Sequence, residues 1–112
     1  MRYGFSLPVR ANLANHNGIV GIAPHGERLG FVSATIADHI VFPTDVESKY
    51  PYDASGNHPS SGDAIAPLSV MAFVAGRTTT LRFITSVLIL PHRNPVLAAK
   101  MIATIDMLPA DG

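Results

Sequence analysis

Hydrophobic positions along this chain fall into two kinds of run. Tyr3 to Leu7, Phe31 to Ala37 and Leu81 to Leu90 are short, nearly unbroken and rich in β-branched or aromatic residues. Runs of that kind predict strands, and near-continuous apolar character is that of a parallel strand buried on both faces. Between them the apolar residues recur at helical spacing. Ile19, Val20, Ile22, Ala23 and Leu29 form one set, Leu68, Val70, Met71, Phe73 and Val74 a second, and Val96, Leu97, Met101, Ile105 and Leu108 a third. Each set predicts a helix.

Capping and breaking residues sharpen the boundaries. Arg10 to Asn17 is polar and reads as a loop, with Asn15 or Asn17 available to cap the first helix and Gly30 to close it. Pro24 falls inside that helix, where proline removes a hydrogen bond and costs about 3 kcal/mol unless the helix starts or kinks there. The second helix is expected over Ala64 to Ala75, with Asp63 as N-cap, Pro67 in the first turn and Gly76 as the stop. Asn94 is the expected N-cap of the third helix, with Pro95 at its first position. Pro109 to Gly112 reads as a turn. The stretch from Phe42 to Asp63, rich in Pro, Gly, Ser, Asp and Tyr, reads as a long loop, and loops of that length are functional or disordered.

Strand then helix, repeated, implies an α/β fold with parallel strands and right-handed crossovers. The chain carries no Gly-x-Gly-x-x-Gly fingerprint and no Walker loop, which leaves a piece of a TIM-type barrel or a small open sheet. Its 112 residues make a single domain, or part of one, spanning 1–112.

Composition narrows the function classes. Eight basic and eight acidic residues cancel, so no basic patch points to nucleic acid or to an anionic membrane. Charged residues make up 14% against a typical value of about 25%, which suggests surface meant to be covered, and a homo-oligomer is expected. The absence of Cys excludes disulfides and thiolate metal sites. His16, His25 and His58 are scattered without ligand spacing, so no metal is expected. The N-terminus lacks a signal-peptide pattern, and no apolar run approaches the roughly 20 residues of a membrane span. The expectation is a cytoplasmic protein acting on a small molecule.

Three constellations could carry chemistry. Asp38 and His39 follow the second strand at its carboxyl end, where parallel α/β folds gather their reacting groups. A neutral imidazole there can act as general base, and a neighbouring carboxylate can orient it. The plainer reading is an Asp that caps the next turn and a His packed under the long loop. Thr85-Ser86-Val87 puts small hydroxyl residues into an apolar strand, which suggests a bulge or a close approach to a ligand, or hydroxyls bonding back to the sheet. His92-Arg93-Asn94-Pro95 opens the third helix at the same end as Asp38. A helix N-terminus with Arg93 suits an anion; an ordinary cap with a solvated Arg is the alternative. Tyr50-Pro51-Tyr52 reads either as a loop anchor or as a lid over substrate.

An ordered set of segments carries a family resemblance. Tyr3-Gly4-Phe5-Ser6-Leu7-Pro8, Glu27-x-Leu29-Gly30-Phe31-x-Ser33, Asp38-His39 and Val41-Phe42-Pro43-Thr44 come first. Tyr50-Pro51-Tyr52, Leu81-Arg82-x-x-Thr85-Ser86-Val87 and Arg93-Asn94-Pro95, followed by Lys100, complete it. In this order and spacing they resemble the N-terminal part of the bacterial-luciferase-like oxidoreductases, above all the deazaflavin-dependent branch. The resemblance implies a TIM barrel with insertions, of which this chain carries the first three strand–helix units, a partial barrel. It implies hydride transfer or oxygenation with deazaflavin (coenzyme F-420) or flavin mononucleotide (FMN) at the carboxyl ends of the strands. His39 and Asp38 would be the catalytic pair near the reactive ring. Thr85, Ser86, Val87 and Asn94 would contact the cofactor, with Ser86-Val87 as a non-prolyl cis peptide behind the ring. The loop 42–63 would help form the substrate pocket. The alternative is a non-catalytic truncated module that self-assembles and retains remnant site residues.

Overall fold

In a computed structural model of the chain, which describes residues 1–41, 47–56 and 64–109, the three apolar runs form one parallel sheet. The strands are β1 (Gly4–Ser6), β2 (Ser33–Ile36) and β3 (Arg82–Thr85), in the order β1-β2-β3. Gly4 pairs with Ser33, which pairs with Arg82, and at the carboxyl end Ile36 pairs with Thr85. Helices α1 (His16–Arg28), α2 (Pro67–Ala75) and α3 (Pro95–Asp106) follow the strands in turn. The result is an open α/β sheet of partial-barrel type, as the alternating pattern implied.

The two faces of the sheet differ. Ala34 and Ile36 of β2 are fully buried and meet Ile19 and Ala23 of α1, Val74 of α2 and Ile105 of α3 in one apolar core. Their neighbours Ser33 and Thr35 are only half-buried, and Gly4, Ser6, Arg82 and Ile84 are exposed. Alternation along a strand sends successive side chains to opposite faces, so the helices cover one face and small or polar groups line most of the other.

Asn15, rather than Asn17, caps α1: its side chain accepts from the Gly18 N–H at 3.0 Å. The helix runs through Pro24 to Arg28. It closes on Gly30 at φ +87°, with the Gly30 N–H donating to the Glu27 carbonyl and the Phe31 N–H to that of Gly26. This is a Schellman turn, which needs a left-handed residue at that place. Nearby, the Phe5 ring lies against the bare face of Gly26 and meets Phe31 edge-on at 5.5 Å.

Two boundaries differ most from the pattern. α2 starts at Pro67 with Ala66 as its N-cap, and the expected cap, Asp63, lies outside the described residues. The residue before a proline is driven out of the helical region, and Ala66 sits at ψ 123°. Ala64 instead bridges Arg10, and the Ile65 N–H donates to the Val9 carbonyl. β3 ends at Thr85 instead of running to Leu90. The Ser86 N–H makes the last bond to β2, at the Ile36 carbonyl. The chain then leaves the sheet, and Leu90–His92 closes as a single 3₁₀ turn. Among the described residues no helix is long and apolar enough to cross a membrane.

Candidate functional site

Asp38 lies two residues beyond the end of β2 and is 3% exposed. A carboxylate so placed needs partners, because burying an unpaired charge is costly. Arg93 supplies them: Nη2 donates to Oδ1 at 2.8 Å, and Nη1 donates to Oδ2. The Ile89 N–H donates to the same Oδ2 at 2.8 Å, and Arg93 Nη1 also donates to the Ile89 carbonyl at 3.1 Å. The guanidinium is itself largely covered, at 14% side-chain exposure. Burial pushes the Asp38 carboxyl up, but the bonds from Arg93 and Ile89 and the charges of Arg93 and His39 outweigh it, and the net effect holds it below the usual carboxylate range. Asp38 is therefore a filled acceptor, ionised throughout the neutral range.

His39 follows, half-buried, at the same strand end. Imidazole is the side chain whose ordinary titration lies closest to neutrality, so it is the group here suited to exchange a proton. Thr85 closes β3 beside Ile36 and is half-buried; Ser86 and Val87 come next and are exposed. The peptide bond between Ser86 and Val87 is cis. Val87 is an apolar side chain left 71% exposed. The strand register thus brings the Asp38-His39 and Thr85-Ser86-Val87 segments to one edge of the sheet.

Asn94 sits at the N-terminus of α3, and its Oδ1 accepts from the N–H groups of Val96 at 3.0 Å and Leu97 at 3.1 Å. Arg93 meets neither of the alternatives its sequence position raised: it is paired with Asp38 rather than solvated or waiting for an outside anion. Tyr52 is exposed and meets the half-buried Tyr50 edge-on at 5.6 Å. Val41 is described, while Phe42, Pro43 and Thr44, with most of the long loop, lie outside the described residues. A groove of about 910 Å³ lies elsewhere, toward the end of β3 away from Val87, lined by Leu81, Phe83, Ile102 and Ile105 among others.

Sequence reasoning missed two partnerships. The pairing of Arg93 with Asp38 had a signal, since both were expected at the carboxyl end and carry opposite charge. The role of Glu27 had none. From the last turn of α1 its carboxylate accepts from the N–H groups of Thr79, Thr80 and Leu81, far along the chain, just before β3.

Three mycobacterial proteins, each titled only as uncharacterized, resemble this chain: Mb0965c of Mycobacterium bovis, and MT0967 and Rv0940c of Mycobacterium tuberculosis. Each is 37% identical to it over 91 residues, which is 80% of this chain and 32% of the relative. The chain therefore spans about a third of the length of the curated relatives it matches. A family profile described as luciferase-like monooxygenase matches residues 1–109. With its parallel sheet and the Asp38-His39 pair at the strand ends, the chain belongs to the luciferase-like monooxygenase family.

Proposed function

We propose that the carboxyl edge of this sheet receives the reacting ring of a deazaflavin or of FMN, with His39 as the acid/base group beside it. The observation that carries the reading is the pairing of Ile36 with Thr85. It sends the chain from β2 toward His39 and the chain from β3 toward Ser86 and Val87 side by side. The residues fit a flat heteroaromatic ring. Val87 offers exposed carbon for one face, and the hydroxyls of Thr85 and Ser86 offer donors and acceptors for an edge. The Asp38 charge is neutralised by Arg93, so no bare carboxylate faces an electron-rich ring.

The bound ring supplies hydride or oxygen chemistry to a small-molecule substrate. His39 takes up or delivers the proton that accompanies it, at the imidazole. Asp38 orients the strand end and stays ionised. The Asn94 carbonyl oxygen caps α3, and its amide N–H groups are what it has to offer a ligand. Fluorescence titration with FMN and with a deazaflavin tests the reading. The expected result is saturable quenching by one of them. His39→Ala should hold binding within about 3-fold and lower turnover by about 100-fold or more, the usual worth of a positioned acid/base group. Unchanged fluorescence with both ligands at high protein concentration would sink the reading.

A second reading is favoured by one observation: α3 leaves Val96, Leu97 and Ile102 exposed, and β3 is an outer strand of the sheet. Open strand edges and bare apolar faces favour association. In this reading the chain is a non-catalytic module that assembles with its own copies. Light scattering separates the two. A defined oligomer indifferent to both ligands supports the module, and a ring-binding monomer refutes it.

A further inference from the structure

We propose that Arg93 is a positioning residue of this site: by gripping the Asp38 carboxylate and the Ile89 carbonyl together, it fixes the Ser86–Ile89 segment against the end of β2. The inference rests on the ring-binding reading above for its purpose, though not for its geometry.

Beyond Ser86 the backbone bonds of the segment are local: the Leu90 N–H donates to the Leu88 carbonyl at 3.0 Å and the His92 N–H to the Ile89 carbonyl at 3.2 Å. β3 stops at Thr85, and after the Ser86 N–H reaches the Ile36 carbonyl the chain leaves the ladder. Val87 is exposed, while Leu88 packs half-buried against the core, so packing holds the segment at one side chain. Three polar contacts tie the segment to the end of β2. The Asp38 carboxylate takes the Ile89 N–H, the Arg93 guanidinium takes the Ile89 carbonyl, and the same guanidinium holds the carboxylate in a two-pronged contact. A planar fork can do this because its N–H groups diverge in one plane, whereas a lysine ammonium presents a point charge. Arg93 also stands directly before Asn94, the cap of α3, so the grip is anchored to the start of that helix. Any ring leaning on Val87 leans on a segment whose position Arg93 sets.

The test is amide hydrogen exchange on the full chain without ligand, followed by titration with FMN and with a deazaflavin. In Arg93→Gln the Ile89 and Ser86 amides should lose protection by about 10-fold or more relative to amides of the core, such as Val74. Ring affinity should fall by a similar factor. Arg93→Lys, which retains the charge facing Asp38, should recover most of the affinity and the Ser86 protection. If Arg93→Gln fails to fold, Arg93→Lys still decides the matter. A selective loss at Ile89, whose carbonyl lysine cannot hold together with both carboxylate oxygens, supports the grip. Uniform loss across the molecule, or none at Ile89, overturns it. A wild-type chain that binds neither ligand overturns the ring-binding reading alone, because the exchange measurement uses no ligand.

Discussion

Glu27 and Thr80 tie the two ends of the crossover architecture together: the Glu27 carboxylate at the end of α1 accepts from the Thr80 N–H at 2.6 Å and from its hydroxyl at 3.0 Å. The Leu81 N–H joins at 2.8 Å, so a single carboxylate satisfies the amides that precede β3. Bonds to a charged acceptor are worth about 1.5–3 kcal/mol, and amides left without a partner lose more. Glu27→Ala should lower the unfolding free energy by about 2–4 kcal/mol in urea titrations. Glu27→Gln, which retains one acceptor oxygen, should cost less than the alanine.

Acid should act through the same kind of group. Burial raises the Glu27 carboxyl, but the bonds from Thr80, Thr79 and Leu81 outweigh it and hold it low; Asp38 is held low by Arg93 and Ile89. A depressed folded value means stability that is fully present above the unfolded carboxylate range, near 4, and lost as the pH falls through the folded values. Melting temperatures should therefore be flat down to about pH 5 and drop below about pH 4. In Asp38→Asn the acid limb should be shallower, while the plateau should be lower because Arg93 loses its partner.

Asn94 can be assigned by its conservative replacement. As a cap it is worth about 1 kcal/mol, so Asn94→Ala should destabilise the chain by that amount while Asn94→Asp should not. If Asn94→Asp also preserves ring binding, capping accounts for the residue. A loss of binding at unchanged stability would make its amide N–H groups a cofactor contact.

Gly26 is set by the ring above it. A Cβ built there would stand 2.5 Å from Phe5 Cε1, and that ring is already in contact with Phe31. Gly26→Ala should cost about 1–3 kcal/mol by overpacking. Phe5→Leu in the same chain should recover part of the loss, a non-additivity that denaturant melts of the two single variants and the double variant would measure.

Most of the fold was legible because its signals are local. The Asn94 cap, the Gly30 stop and the alternation of strand with helix each depend on a few adjacent residues and are where the sequence put them, and the first cap falls on Asn15, one of the two asparagines it offered. The second helix starts late because Pro67 dictates the conformation of Ala66 more strongly than apolar spacing extends the helix. The third strand is short because Ile89, apolar enough to continue it, gives its N–H to Asp38, a partner distant in sequence. The candidate site divides the same way. The segments that gather at the sheet edge could be read from strand order, while the pairing of Arg93 with Asp38 and the reach of Glu27 to Thr80 exist only once the chain has closed.

The uneven faces of the sheet have a calorimetric consequence. Carbon is withdrawn from water chiefly on the helix side, by Ala34, Ile36 and the helix residues packed on them, while Ser33 and Thr35 look the other way. Heat capacity on unfolding tracks the apolar area newly wetted and is reduced by polar area. Per residue, this chain should fall below the roughly 12–15 cal/mol/K of ordinary domains. Its stability curve should then be flatter, with less curvature across temperature than that of an ordinary domain of its length.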